Sequence, residues 1–370
     1  MKIERIELYH ITQPLVHPFR TSFGTEHDRP CILVAVYSEG ITGWGECVAS
    51  ADPGYCYETI NTAWHILSDF LIPAIVGQDF VAPQDVPVRF NRVRGHPLAK
   101  ASLENAVWDL FARAAEIPLS AMLGGQRERV EVGVSIGIQP TVEALVERVS
   151  QFVDAGYWRI KIKIEPGWVI DPLTAIRNKF PNIKLMADAN SAFSLDDVAL
   201  FQEMDAFNLL MIEQPLHHDD IFDHAKLQAQ IETPLCLDES IHSPLHARAA
   251  IEMQACRIIN MKVARVGGLS NALVIHQLCA EAGIPLWCGG MLETNVGRAA
   301  NLHLASLPNF TLPGDISASN RYYVEDVAEP NFHLNTEDST ITVPTGPGIG
   351  VTVLPERIKK FQIRMAAFDA

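Results

Sequence analysis

Five side chains able to move a proton or hold a cation recur at nearly equal intervals: Lys163, Asp188, Glu213, Asp238 and Lys262 are separated by 25, 25, 25 and 24 residues. Three carboxylates offer the hard oxygen ligands of an octahedral Mg²⁺ that keeps positions open for water or substrate. The two lysines supply an acid and a base. Together they read as metal-assisted proton transfer on a small carboxylate, where loss of an α-proton leaves an enediolate whose charge the cation neutralises. Mg²⁺ is the expected cofactor, with Mn²⁺ as a substitute. An ordinary lysine, with a pKa of about 10.4, is a poor base at neutral pH. A metal and a further lysine, Lys161, favour the free amine. Any one of these carboxylates alone reads equally well as a helix N-cap just past a strand, and lysines also snorkel to a rim; the register of all five argues for a site.

The interval is the length of one strand, one helix and two short loops, so each residue falls at the end of a successive strand of a β/α barrel, where active sites of that fold are built. Eight apolar, β-branched runs begin after Val130: VGVSIGI, WRIKIKI, IKLMADAN, LLMIEQP, PLCLDES, CRIINMK, PLWCGG and FTLPGDI. The first seven are each followed by a helical pattern, such as SLDDVALFQEMD or SNALVIHQLCAEAG, and the eighth is not. Side chains alternate along a strand, so Lys161 shares a face with Lys163, Asp188 with Asn190, and Asn260 with Lys262. Ahead of the barrel, IERIELYHI, CILVAVYSEG and ITGWGECV predict antiparallel strands with Gly40 and Gly43 as turn residues. Two helices follow, one in YETINTAWHILSDFLIPAIVG and one in LAKASLENAVWDLFARAAEI. The predicted class is α/β: an α+β capping domain over residues 1–125, a (β/α)₇β TIM-like barrel over 126–320, and a segment over 321–370 that returns to the cap.

Composition narrows the partners. The chain has 370 residues, 48% of them hydrophobic, enough for a large core and a second unit. A net charge of -15 repels nucleic acid and anionic membranes. The start MKIERIELYH is charged where a secretory signal needs an apolar run, and no stretch reaches the length of a membrane span, so the expectation is a cytoplasmic protein. Seven scattered cysteines without a CxxC pair fit reduced, packed thiols. The 13 histidines form no HxH or HExxH pattern, and His217 and His218 read as solvated loop residues.

At the landmark residues the chain resembles the enolase superfamily, for which a lysine base with Mg²⁺ is an established pattern. KIK at 161–163, ADAN at 187–190, EQP at 213–215, LDES at 237–240 and NMKVARVGG at 260–268 resemble the muconate-lactonizing subgroup. Within it, VGVSIGI, WCGGMLETNVGRAANLHLASLPNFTLPGDI and SNRYY resemble the o-succinylbenzoate synthase and N-succinylamino-acid racemase family. The resemblance covers essentially the whole chain. It implies Mg²⁺ at Asp188, Glu213 and Asp238, and acid/base lysines at Lys163 and Lys262. Lys161, Ser135, Asn190, Gly290 and Met291 become candidate substrate contacts. It also implies cap loops closing the mouth, with Phe19, Arg20, Phe23, Asp52 and Tyr55 as candidates for discriminating substrate, and a homo-oligomer. A histidine base of the mandelate-racemase kind has no counterpart near Gly289 or Gly290. The Asp-x-Asp pair of dipeptide epimerases is broken, because Ser317 follows Asp315.

The leading expectation is a lyase of menaquinone biosynthesis that dehydrates 2-succinyl-6-hydroxy-2,4-cyclohexadiene-1-carboxylate to o-succinylbenzoate. Racemization of N-succinylamino acids by two-lysine proton transfer needs the same five residues, and muconate cycloisomerization is a third reading. A non-catalytic barrel that binds a carboxylate is the reading from another class, since fold alone does not fix function. Arg265, three residues past Lys262, is a candidate for tuning that lysine or for a structural ion pair.

Overall fold

The computed structural model describes every residue of the chain except Phe23. Its first layer is an antiparallel sheet of β1 (Arg5–Thr21), β2 (Gly24–Ser38) and β3 (Ile41–Cys47), extended by a strand from the far end of the chain, residues Gln362–Asp369, which pairs with β1. The tail therefore returns to the first layer. A helical stretch over residues 60–75 and helix α1 (Pro97–Ala114) pack behind this sheet. Gly40 occupies the turn between β2 and β3, with φ +77°. Gly43 is not a turn residue; it lies inside β3. A Cβ there would stand 2.2 Å from the Ala106 carbonyl oxygen, and one at Gly45 would stand 2.0 Å from that of Ser102. Two bare Cα atoms thus let α1 lie directly on the strand.

The second layer is a parallel sheet of β4 (Val134–Ile136), β5 (Arg159–Lys163), β6 (Lys184–Asp188), β7 (Ile212–Glu213), β8 (Leu235–Leu237), β9 (Ile258–Met261) and β10 (Leu286–Cys288), paired in sequence order. The eighth run, FTLPGDI, closes the ring through isolated bridges on both sides. The Gly133 amide donates to the Gly314 carbonyl at 2.7 Å, and the Asp315 amide donates to the Cys288 carbonyl at 2.8 Å. Helices follow the seven sheet strands: α2 (Val142–Asp154), α3 (Ile170–Lys179), α4 (Val198–Met204), α5 (Phe222–Gln228), α6 (Pro244–Glu252), α7 (Leu269–Ala282) and α8 (Asn295–Ala305). The eighth run leads into a short 3₁₀ turn at Ser319–Arg321 in place of a barrel helix.

Strand periodicity sorts the side chains. Ile160, Ile162, Leu185, Ile212, Leu235 and Ile259 point out and join the helices in the main core. Met186, Met211, Cys236, Ile258 and Trp287 point inward and form a separate buried plug. One step of two residues above that plug lie Asp188, Glu213, Asp238 and Asn260, so a closed apolar floor supports the polar layer.

Candidate active site

Register builds the site. Lys163 pairs with Asp188 across β5 and β6, and Asp188 with Glu213 across β6 and β7. Asp238 follows directly on β8 and Lys262 directly on β9. All five are buried. Lys163 Nζ lies 2.6 Å from Asp188 Oδ2 and donates to Asn190 Oδ1 at 2.5 Å. Lys161 Nζ sits between Asp188 Oδ2 at 3.0 Å, Glu213 Oε2 at 2.9 Å and Asp315 Oδ2 at 2.6 Å, over the Trp287 ring. On the other side Lys262 Nζ is 2.8 Å from Asp238 Oδ2, and Arg265 pairs with Asp238 Oδ1.

These pairs decide the charge states. Burial pushes the Asp188 carboxyl up, but Lys163 and Lys161 outweigh it and hold it below the usual carboxylate range. Glu213 goes the other way, because burial and the neighbouring Asp188 charge exceed the pull of Lys161. Burial disfavours charge on Lys161, yet Asp315, Glu213 and Asp188 together raise it above an ordinary lysine. Lys262 is likewise raised against its burial, by Tyr55, Glu239, Glu213 and Asp188.

Whether the donors suit a divalent cation can be judged from their own contacts. Asp188, Glu213 and Asp238 supply hard oxygens from three adjacent strands. Asp238 Oδ2 and Glu239 Oε2 are buried without a hydrogen-bond partner among the described residues, Lys262 approaching Asp238 Oδ2 only as an ion pair. A buried carboxylate oxygen of that kind is costly unless a cation meets it. The set fits a hard cation such as Mg²⁺. Their oxygens are not drawn as closely together as the donor atoms of the exposed His217, His218 and Asp219, which lie within 4.8 Å of one another, because Lys161 stands between Asp188 and Glu213.

A cleft opens above the lysines and joins them to the cap. Lys161, Lys163, Asn190, Lys262, Ser135, Gly290 and Met291 line it, with Phe19 from the end of β1 and Asp52 and Tyr55 from the cap loop after β3. Arg20 does not join them; its guanidinium turns to Glu165 at 3.4 Å. Phe23 lies outside the described residues. Tyr55 reaches furthest down, its hydroxyl donating to Asp238 Oδ1 at 2.9 Å and accepting from Lys262 Nζ at 3.2 Å. Two contributors were missed from sequence. Glu239, pushed up to about 7 by burial and the Asp188 charge, accepts from Asn190 Nδ2 at 2.9 Å. Strand alternation places it opposite Asp238 and so hid it. Asp315 anchors Lys161, although its place at the end of the eighth run was a readable signal.

The model of the mandelate racemase / muconate lactonizing enzyme N-terminal domain matches residues 5–124, and the enolase C-terminal domain-like model matches residues 144–357. The chain belongs to the enolase superfamily. Within this superfamily an o-succinylbenzoate synthase from Geobacillus kaustophilus is 48% identical over 362 residues, covering 98% of this chain and 96% of its own. An N-succinylamino acid racemase from Amycolatopsis is 47% identical, covering 96% of each. The crystal structure of an enolase-superfamily protein from Listeria innocua, 43% identical, superposes with a TM-score of 0.96 over 100% of this chain and 99% of that one.

Proposed function

We propose that this protein is a divalent-metal-dependent o-succinylbenzoate synthase of menaquinone biosynthesis, with Lys163 as base and Lys262 as the opposing cation. The observation that carries this is the pair of buried lysines lining one cleft, each against a different carboxylate of the same polar layer. A cation held by Asp188, Glu213 and Asp238 would supply Lewis-acid stabilisation for the substrate carboxylate. Lys163 Nζ, oriented by Asn190, takes the α-proton. The electron pair of that C–H bond forms a ring double bond, the C–O bond to the hydroxyl breaks, and the departing hydroxide takes a proton from the Lys163 ammonium to leave as water. Lys262 opposes the negative charge that develops meanwhile. Ser135, Gly290, Met291 and Lys161 frame the substrate, and Tyr55, Phe19 and Asp52 close the cleft over it. The names carried by the synthase relatives support the substrate. The relatives named as racemases favour a second activity on N-succinylamino acids, with Lys163 and Lys262 exchanging an α-proton on opposite faces.

Among the described residues no helix is long and apolar enough to cross a membrane. We place the enzyme in the cytoplasm, as a homo-oligomer. The test is loss of the ultraviolet absorbance of the cyclohexadiene carboxylate on mixing with protein and Mg²⁺. Loss that EDTA and Lys163→Ala each abolish supports the synthase. Folded, Mg²⁺-saturated protein that leaves the absorbance unchanged refutes it, and α-proton exchange of N-succinylamino acids in D₂O then tests the racemase.

A further inference from the structure

The loops after β7 and β8 bring imidazoles and a carboxylate together in a cleft that Lys161, Lys163 and Lys262 do not line. His218 Nε2 lies 3.4 Å from Asp219 Oδ2, and His242 Nε2 lies 4.0 Å from Asp219 Oδ1. One aspartate is thus flanked by imidazole nitrogens from two loops. Donor atoms sharing a tetrahedral cation at bonds of about 2.0–2.1 Å stand about 3.4 Å apart; His218 already stands at that separation from Asp219, and the His242 ring has to close in on the same carboxylate to join it. No lysine or arginine among the described residues forms an ion pair with Asp219; the two imidazoles are the basic side chains that approach it.

We propose that His218, Asp219 and His242 form a second metal site, for a borderline transition-metal cation of the Zn²⁺ class, separate from the carboxylate site at the barrel mouth. Imidazole donors select this class over Mg²⁺, which prefers an all-oxygen octahedron. His217 is near enough to join, its donor atom lying within 4.8 Å of the other two in its loop. Its Nδ1, however, accepts the Asp219 amide at 3.3 Å, so its Nε2 carries the proton in the neutral ring and the residue enters only after that bond breaks. Water completes the coordination. His218, Asp219 and His242 share a second cleft with Tyr55 and Glu239, so a bound ion cross-links two mouth loops next to the residue that reaches down to Lys262.

The experiment is calorimetric titration of the Mg²⁺-saturated full chain with Zn²⁺, repeated with Co²⁺ as a visible-absorbing probe, on wild type, Lys163→Ala, His218→Asn, His242→Asn and Asp219→Asn. Circular dichroism checks that each variant is folded. The expected result is one equivalent bound by wild type and by Lys163→Ala, an affinity at least tenfold weaker in both histidine variants and Asp219→Asn, and binding that fades in acid as protons compete with the metal for the imidazoles. Absence of stoichiometric binding, affinity unchanged in His218→Asn and His242→Asn, or binding that excess Mg²⁺ removes would each overturn the proposal.

Discussion

Lys161 and Asp315 are joined by a 2.6 Å ion pair between Nζ and Oδ2, while the other oxygen of Asp315 lies 2.7 Å from Arg159 Nη1. Burial opposes charge on Asp315, but Arg159 and Lys161 hold its carboxyl at about 2. A carboxyl depressed in the fold contributes stability above its unfolded pKa and loses it as pH falls through the folded one, so the pair is intact across the neutral range. Asp315→Asn takes a carboxylate from two buried cations, leaving Arg159 with backbone carbonyls and Lys161 with Asp188 and Glu213. Removing one partner of a buried pair costs about 3–5 kcal/mol, and Lys161 is freed to move from between Asp188 and Glu213. Urea unfolding at pH 7 should show that loss together with a fall in kcat; a wild-type midpoint would refute the anchoring role.

Tyr55 touches the site in two separable ways. Its hydroxyl bonds to Asp238 and Lys262, and Lys262 Nζ sits 4.5 Å from the centre of its ring. Tyr55→Phe keeps the ring and removes bonds of about 0.5–1.5 kcal/mol each, so kcat/KM should drop about tenfold. Tyr55→Ala also removes a desolvated cation–π contact of about 2 kcal/mol and should drop it further. Equal effects of the two substitutions would show that the ring contributes nothing.

Much of the barrel was legible because its period is rigid. Residues at intervals of 24 or 25 had to fall at strand ends, and alternation then put Asn190 beside Asp188 and Lys161 beside Lys163 on one face. What failed was whatever alternation does not govern. Glu239 enters the polar layer from a loop just past β8, where strand phase no longer holds. Gly43 looked like a turn because glycine permits turns, whereas its actual use, close approach of α1, depends on a helix some 60 residues away. Phe19 and Arg20 were read as loop residues, whereas both lie on β1 paired with β2, and the Arg20 charge turns to Glu165.

That close approach gives a sharp stability test. A Cβ at Gly45 meets the Ser102 carbonyl oxygen at 2.0 Å and the Ala106 amide nitrogen at 2.9 Å, both backbone atoms of α1 that cannot rotate aside. Gly45→Ala must push the helix off β3, and overpacking of this kind costs about 1–3 kcal/mol. Gly24→Ala, with nothing within 4 Å, is the matched control and should change thermal stability little. If both variants melt with wild type, the helix is not seated on the strand as described.

Glu104 ties the cap helix α1 to the barrel helix α7. Its Oε1 accepts from Trp108 Nε1 and from the Ser270 amide, each at 3.0 Å, at the start of α7. Burial nonetheless pushes its carboxyl up to about 7, outweighing those donors. A carboxyl raised in the fold keeps its proton where the unfolded chain has already released it. Its contribution to stability is therefore complete below about pH 4.5 and is lost as pH rises through about 7. Glu104→Gln keeps an acceptor for Trp108 and Ser270 but cannot ionise. The stability of the variant relative to wild type should therefore improve from pH 5 to pH 8, by up to about 3 kcal/mol at 1.36 kcal/mol per pKa unit. Chemical unfolding of both proteins at several pH values measures this difference, and a gap that stays constant with pH would mean that Glu104 is ionised in the native enzyme throughout that range.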